Sequence, residues 1–368
     1  MGCHFLHSTD PCFIVLSMGY TASAFSRDYH TAREKFRQTA EHSGFRIQTI
    51  QHHQPELTTD VAILGPDSAS QCLITTSGVH GVEGFAGSAI QIESIKRKNL
   101  RPNDNLKIIH VHALNPYGFH NFRRVNEDNV DLNRNFIDWT APAPQENPLT
   151  CQLNHVLSHP GFYKSFVKAG VISMQHGLNA LKDALTAGQY SNPKGMFYGG
   201  NKPSWSHQTW NDIWHEHVAG CDHAAHIDIH TGLGGYGWSE IIYAGNPLQQ
   251  EFKRASDWWG KVTSPAMGTS SSSRTYGDIT RAFNLHQLLD TTTSVTLEFG
   301  TLHPMWVFCA LLRDHHAHLS ASGPAKESAR TSMQQAFNPQ NALWQTYVLA
   351  RGCDALIKAR HGLLRISR

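Results

Sequence analysis

The feature that most restricts what this chain can fold into is a strand–helix–strand series in its first third. Residues 71–76 and 106–113 are β-rich apolar runs. Between them, residues 84–98 place Phe85, Ala89, Ile92 and Ile95 at helical spacing and end in basic side chains. Two strands joined through a helix lie parallel in one sheet, with helices covering its faces. Residues 45–50 and 61–64 read as earlier strands, and 224–229, 240–243 and 294–299 as later ones. Residues 149–220 read as helix and loop, and helices fill most of the chain after Pro304. The expected fold class is α/β, a single domain with a mixed, mostly parallel twisted sheet and helices on both faces. Residues 1–17 are expected to be a disordered extension or a misassigned start, followed by one domain over 18–368 with a helical insert around 140–220.

Composition narrows the function. With 31 Lys and Arg against 29 Asp and Glu, the formal charge is +2, so no basic field draws the chain to nucleic acid or anionic lipid. No apolar run reaches 18 residues, which predicts no membrane span. Seven widely spaced cysteines without a CxxC pair read as reduced, buried thiols of a cytoplasmic protein.

Histidine is abundant, at 25, and this weakens any single histidine motif. With 12 glutamates, about one His-x-x-Glu is expected by chance, and the chain has two, His53–Glu56 and His80–Glu83. Context separates them. His53 lies in a polar, proline-containing loop, whereas His80 follows an apolar strand and a Ser-Gly turn and precedes a helix. Open α/β sheets place their sites at such carboxyl ends. Residues 115–136 are dense in Asn and Arg, which suits either a solvated turn or a surface that recognises an anion. In residues 224–231, alternation puts His226, Asp228 and His230 on one face of an otherwise apolar strand. Burying them is costly unless they meet a ligand or each other. Glu298 likewise interrupts the apolar strand 294–299 and must be paired or catalytic.

In chain order, His80-Gly-Val-Glu83, Arg124 with Asp131-Leu-Asn-Arg-Asn-Phe136, Asp228-Ile-His-Thr-Gly232 and Leu297-Glu-Phe-Gly-Thr301 resemble the zinc carboxypeptidases typified by carboxypeptidase A. The likeness spans roughly residues 45–310. It is nearest to an uncharacterised bacterial carboxypeptidase-like group that also carries a Gly-Gln-Tyr…Phe-Tyr-Gly-Gly segment, here within 188–200. The resemblance implies one Zn²⁺ per chain, held by His80, Glu83 and His230, a ligand set that leaves the fourth tetrahedral position open. It implies that Asp131 accepts the ring N–H of His80 and that Glu298 is the general base. Arg124 would polarise the scissile carbonyl, with Arg123 as a competitor for that role. Asn133 and Arg134 would hold a substrate carboxylate. Tyr276, 22 residues before Glu298, is a positional candidate for the family's mobile tyrosine.

The implied function is hydrolysis of an amide next to a free carboxylate, on a small peptide. A deacylase of the aspartoacylase type, acting on an acyl-amino acid, is a second reading, although such enzymes usually add a C-terminal β-rich domain. A non-catalytic protein that binds zinc or a peptide is a third. The connection 135–229 is longer and more helical than in compact carboxypeptidases, and is expected to cap the cleft or to build an oligomer contact.

Overall fold

The computed structural model describes residues 24–98, 100–158, 162–284, 289–320 and 323–366, so the expected N-terminal extension lies outside the described residues. Among the described residues eight strands form one sheet: β1 (Arg46–Gln51), β2 (Thr58–Leu64), β3 (Gln71–Ser77), β4 (Leu106–His112), β5 (His223–Tyr236), β6 (Ser239–Ile242), β7 (Val262–Thr263) and β8 (Thr291–Gly300). Their order is β1-β2-β4-β3-β5-β8-β6-β7. The centre, β4-β3-β5-β8, is parallel. Antiparallel β1 and β2 flank it on one side, and β6, antiparallel to β8, flanks it on the other. The sheet is mixed, as the sequence predicts.

Both faces of the sheet's centre are buried, which is why its central strands read as apolar runs, whereas edge strand β1 is largely exposed. On one face Leu73, Ile227, Ile229 and Leu297 pack with Ile90, Trp259, Trp344 and Leu356, which come from helices Gly84–Lys96, Gln250–Trp259 and Ala342–Ile366. On the other, Cys72, Ile74, Val111 and Ala224 meet Trp210 and Trp214 of helix Trp205–His217, with Leu132 and Phe283. Period-2 alternation in β5 therefore gives Ala225, Ile227 and Ile229 to the first face, and His226, Asp228 and His230 to the second.

Three helices, Pro148–Leu157, Phe162–His176 and Leu178–Thr186, occupy the span expected to be an insert, called the insert below, and Pro304–Ser320, Gly323–Phe337 and Ala342–Ile366 make the C-terminal region helical. Residues 115–136 are not a solvated turn. Arg123, Asn126, Asp131, Asn133, Arg134 and Asn135 are all buried there. Helix Gln250–Trp259, absent from the sequence reading although Phe252, Ala255, Trp258 and Trp259 stand at helical spacing, packs on β8 and on the C-terminal helix, to whose Ala355 carbonyl Trp259 Nε1 donates at 2.9 Å. Cys72, Cys221 and Cys353 are buried free thiols as expected, but Cys151 is exposed. Among the described residues, no helix is long and apolar enough to cross a membrane.

Candidate metal centre

His80 follows β3 and opens the 3-10 turn Gly81–Glu83. Two backbone bonds fix this turn: the Gly81 and Val82 amides donate to the carbonyls of Arg124 (3.2 Å) and Arg123 (2.9 Å). A Cβ on Gly81 would lie 2.0 Å from the Gly118 carbonyl carbon, so glycine is required for that approach. The His-x-x-Glu turn and the arginine segment are thus one unit, although more than 40 positions separate Gly81 from Arg124.

His80 Nε2 donates to Asp131 Oδ1 at 3.1 Å, which turns Nδ1 inward. That Nδ1 is buried, makes no hydrogen bond, and lies 3.1 Å from Glu83 Oε1. His230 arrives from β5, its Nδ1 2.8 Å from Glu83 Oε2 and its Nε2 against Asp228 Oδ2. Burial disfavours a charged His230, but Asp228 and Glu83 more than offset this and hold its pKa well above the ordinary range. Burial alone would also raise Glu83, yet His80 and His230 bring it far below the usual carboxylate range. His226, on the same face, is not part of this group. Its Nε2 meets Thr76 Oγ1 at 2.9 Å and its Nδ1 meets Ser294 Oγ at 2.8 Å.

Glu298 sits on β8 in register with His230. The Leu233 amide donates to its Oε1 at 2.9 Å. Burial first, and then the charge of Glu83, push its carboxyl up to about 8. Arg124 reaches across the group, donating from Nε to Asp131 Oδ2 at 2.9 Å and from Nη1 to Glu83 Oε1 at 3.2 Å. Arg123 points elsewhere and donates to Asp314 at 3.1 Å. The geometry thus separates the two adjacent arginines.

Asn133 Nδ2 lies 3.4 Å from His230 Nε2, while its Oδ1 accepts the Ile279 amide at 3.2 Å. Arg134 is buried and more engaged than the sequence suggests. Nε and Nη2 donate to the Thr186 carbonyl at 2.9 and 2.5 Å, and Nη1 to the Asn133 carbonyl at 2.8 Å. Two of its five N–H groups stay uncommitted by these bonds. Thr186 ends an insert helix, so Arg134 also ties the motif to the insert.

The centre opens on a cavity of about 1120 Å³. His80, Glu83, His230, Glu298 and Arg124 line it, as do Phe166, Leu181 and Leu185 of the insert. Tyr276 borders the cavity at 52% exposure, with the Arg281 guanidinium over its ring at 6.0 Å. Asp228 and Phe197 are functional candidates to which the sequence reading gave no role, although Asp228 is among the polar residues it marks in 224–231 and Phe197 lies in the Gly-Gln-Tyr…Phe-Tyr-Gly-Gly segment. The i, i+2 spacing of Asp228 and His230 carries the signal for the first. The Phe-Tyr-Gly-Gly segment marks the position of Phe197, but its place beside the site follows only from the return of the insert.

A metal fits this geometry. One donor atom from each of His80, Glu83 and His230 lies within 4.8 Å of the others. A tetrahedral centre with bonds near 2.1 Å needs donors about 3.4 Å apart, so small adjustments suffice. The unpartnered Nδ1 of His80 is directed to the group, and the proton that bridges His230 to Glu83 is one that a metal would displace.

Among solved structures the chain is similar to bovine thrombin-activatable fibrinolysis inhibitor in complex with tick carboxypeptidase inhibitor, at 10% identity and TM-score 0.51 over 94% of this chain and 99% of that one. It is also similar to carboxypeptidase A from Helicoverpa armigera (14% identity, TM-score 0.47, 93% and 80% covered). A third similar structure is the succinylglutamate desuccinylase from Chromobacterium violaceum (14% identity, TM-score 0.37, 83% and 77% covered). The first likeness shows a zinc carboxypeptidase-like fold. No curated protein matches the chain's sequence. The model of one family, described as a protein of unknown function, DUF2817, matches residues 25–351, and the chain belongs to that family.

Proposed function

We propose that the protein is a zinc-dependent hydrolase that cleaves an amide next to a free carboxylate, acting as a carboxypeptidase on small peptides. One observation carries the reading: three ligand-type side chains converge, buried, in the wall of a large cavity, with Glu298 one strand away. His80, Glu83 and His230 would hold one Zn²⁺ per chain. Bound there, zinc supplies Lewis acidity and a more acidic water. Asp131 and Asp228 orient the two imidazoles by accepting their Nε2–H.

Glu298 is the proton carrier. Leu233 engages Oε1, which leaves Oε2 to take a proton and return it to the leaving amine. Burial and Glu83 favour its protonated form, and His230 and Arg124 act in the opposite direction, favouring the carboxylate. Arg124 presents fixed positive charge beside Glu83, where a carbonyl oxygen would gain negative charge. The two uncommitted N–H groups of Arg134, with Asn133, would hold the substrate carboxylate. Tyr276 would close over bound substrate from the rim. Residues 18–368 would act as one catalytic domain whose insert, around 140–220, caps the cleft. We place the protein in the cytoplasm from its free thiols.

The test is hydrolysis by zinc-loaded protein across dipeptides, N-acyl amino acids and C-terminally amidated peptides. Cleavage of free-acid dipeptides above the other two classes is expected. Equal cleavage of amidated peptides would overturn carboxylate recognition, and preference for acyl-amino acids would make the protein a deacylase.

A further inference from the structure

Two guanidiniums of like charge, Arg124 and Arg134, line one cavity, and both approach the same aromatic ring. The Phe197 centroid lies 5.6 Å from Arg124 Cζ and 5.8 Å from Arg134 Cζ. Hydrogen bonds hold the edges of each guanidinium: Asp131 and Glu83 for Arg124, and the Thr186 and Asn133 carbonyls for Arg134. Asp131 Oδ1 also lies 3.9 Å from Arg134 Nη1, so one carboxylate draws on both cations from one side, but it leaves the faces of the guanidiniums free to turn. An aromatic face holds them, because its negative quadrupole attracts both.

The backbone places this ring deliberately. Phe197 is buried in the cavity lining and has φ of +53°, a left-handed conformation that an aromatic residue adopts only under constraint. The constraints are on either side. The Gln189 amide donates to the Phe197 carbonyl at 3.1 Å, and the Asp131 amide donates to the Tyr198 carbonyl at 2.8 Å. Asn129 Nδ2 donates to the Gly195 carbonyl at 3.0 Å. The returning arm of the insert is therefore tied to the segment that carries both arginines.

We infer that Phe197 is a positioning residue that sets the separation and orientation of the Arg124 and Arg134 guanidiniums, and so the preference for a substrate with a free carboxylate. This rests on the hydrolase reading above. A plain apolar core residue would be replaceable by any side chain of similar bulk; a residue acting through its π face would not.

The experiment compares Phe197→Leu, Phe197→Met and Phe197→Tyr with the parent, using one acetylated dipeptide as free acid and as amide. Phe197→Leu should lower kcat/KM on the free acid about tenfold, with most of the change in KM, the size expected from two cation–π contacts. Its selectivity over the amide should fall as well, whereas Phe197→Tyr, which keeps the ring, should stay within about threefold of the parent. Phe197→Met serves if the leucine variant does not fold. Kinetics within about twofold for a folded leucine or methionine variant would overturn the inference, as would equal losses in the tyrosine variant. If the parent cleaves neither peptide, the hydrolase reading fails, and crystal structures of parent and leucine variant decide the role of Phe197 on its own. Guanidiniums displaced by about 1 Å or more support positioning; guanidiniums that hold to within about 0.5 Å end it.

Discussion

The chain carries His-x-x-Glu twice, and the two copies meet opposite environments. His53 and Glu56 are both exposed on the turn between β1 and β2. His80 and Glu83 are buried after β3, where Asp131, Arg124 and His230 surround them. Spacing is the same in both, so spacing carries no chemistry by itself. The second copy gains its character from desolvation, which strengthens every charge interaction, and from partners that the sheet delivers. Among buried histidines the same contrast recurs. His230, flanked by two carboxylates, is held basic, while burial pushes His110 to about 3 and His112, His226 and His315 to about 4.

The strongest way to break the comparison is to delete a histidine from each of the two environments. His80→Ala or His230→Ala should abolish tight zinc binding, read by elemental analysis of dialysed protein, and His53→Ala should leave occupancy unchanged. Full occupancy in His230→Ala would remove that residue from the ligand set. Next in size is Glu298→Gln, which keeps shape but cannot accept a proton. Turnover should drop by roughly 10² to 10⁴ with zinc retained. A rate within about threefold of the parent would assign the base elsewhere.

A smaller effect separates the two arginines bound to the motif. Arg134→Ala should raise KM for free-acid peptides by about 10- to 100-fold and spare their amides, as expected for loss of a charged hydrogen-bonding partner. Arg124→Ala should lower turnover on both classes. Identical profiles for the two variants would dissolve the division of roles proposed here.

The smallest effect sharpens the contrast among histidines. A buried group with a depressed folded pKa binds its proton more readily when unfolded, so its stabilising effect is complete above about 6.5 and is lost as pH falls toward 4. Each of the four neutral histidines should cost on the order of 1–2 kcal/mol at pH 5. His110→Asn retains a polar group near Nδ1, which contacts Thr75 Oγ1 at 2.7 Å, and removes the titration. Urea midpoints at pH 7.5 and 5 should therefore differ less in this variant than in the parent. An unchanged difference would mean that other groups govern acid sensitivity.

Much of the architecture is legible in the sequence because it depends on short-range pattern. Short β-rich runs locate seven of the eight strands of the described residues, since a strand needs only its own few residues to be recognised. The two-residue strand β7 carries too little pattern to be seen. The site is legible for a related reason. A Glu inside residues 294–299 and three polar residues inside 224–231 are expensive to bury, so their presence in apolar strands already demands partners. The sequence by itself thus determined the sheet, its covered faces and the set of groups needing compensation. Which groups compensate which was decided only by tertiary structure. The parallel register puts Glu298 beside His230, a backbone pair of bonds docks Gly81 and Val82 on the arginine segment, and the returning insert brings Phe197 to two guanidiniums and Thr186 to Arg134. Those contacts span tens of residues. No local periodicity encodes them, because they follow from where the crossovers return the chain.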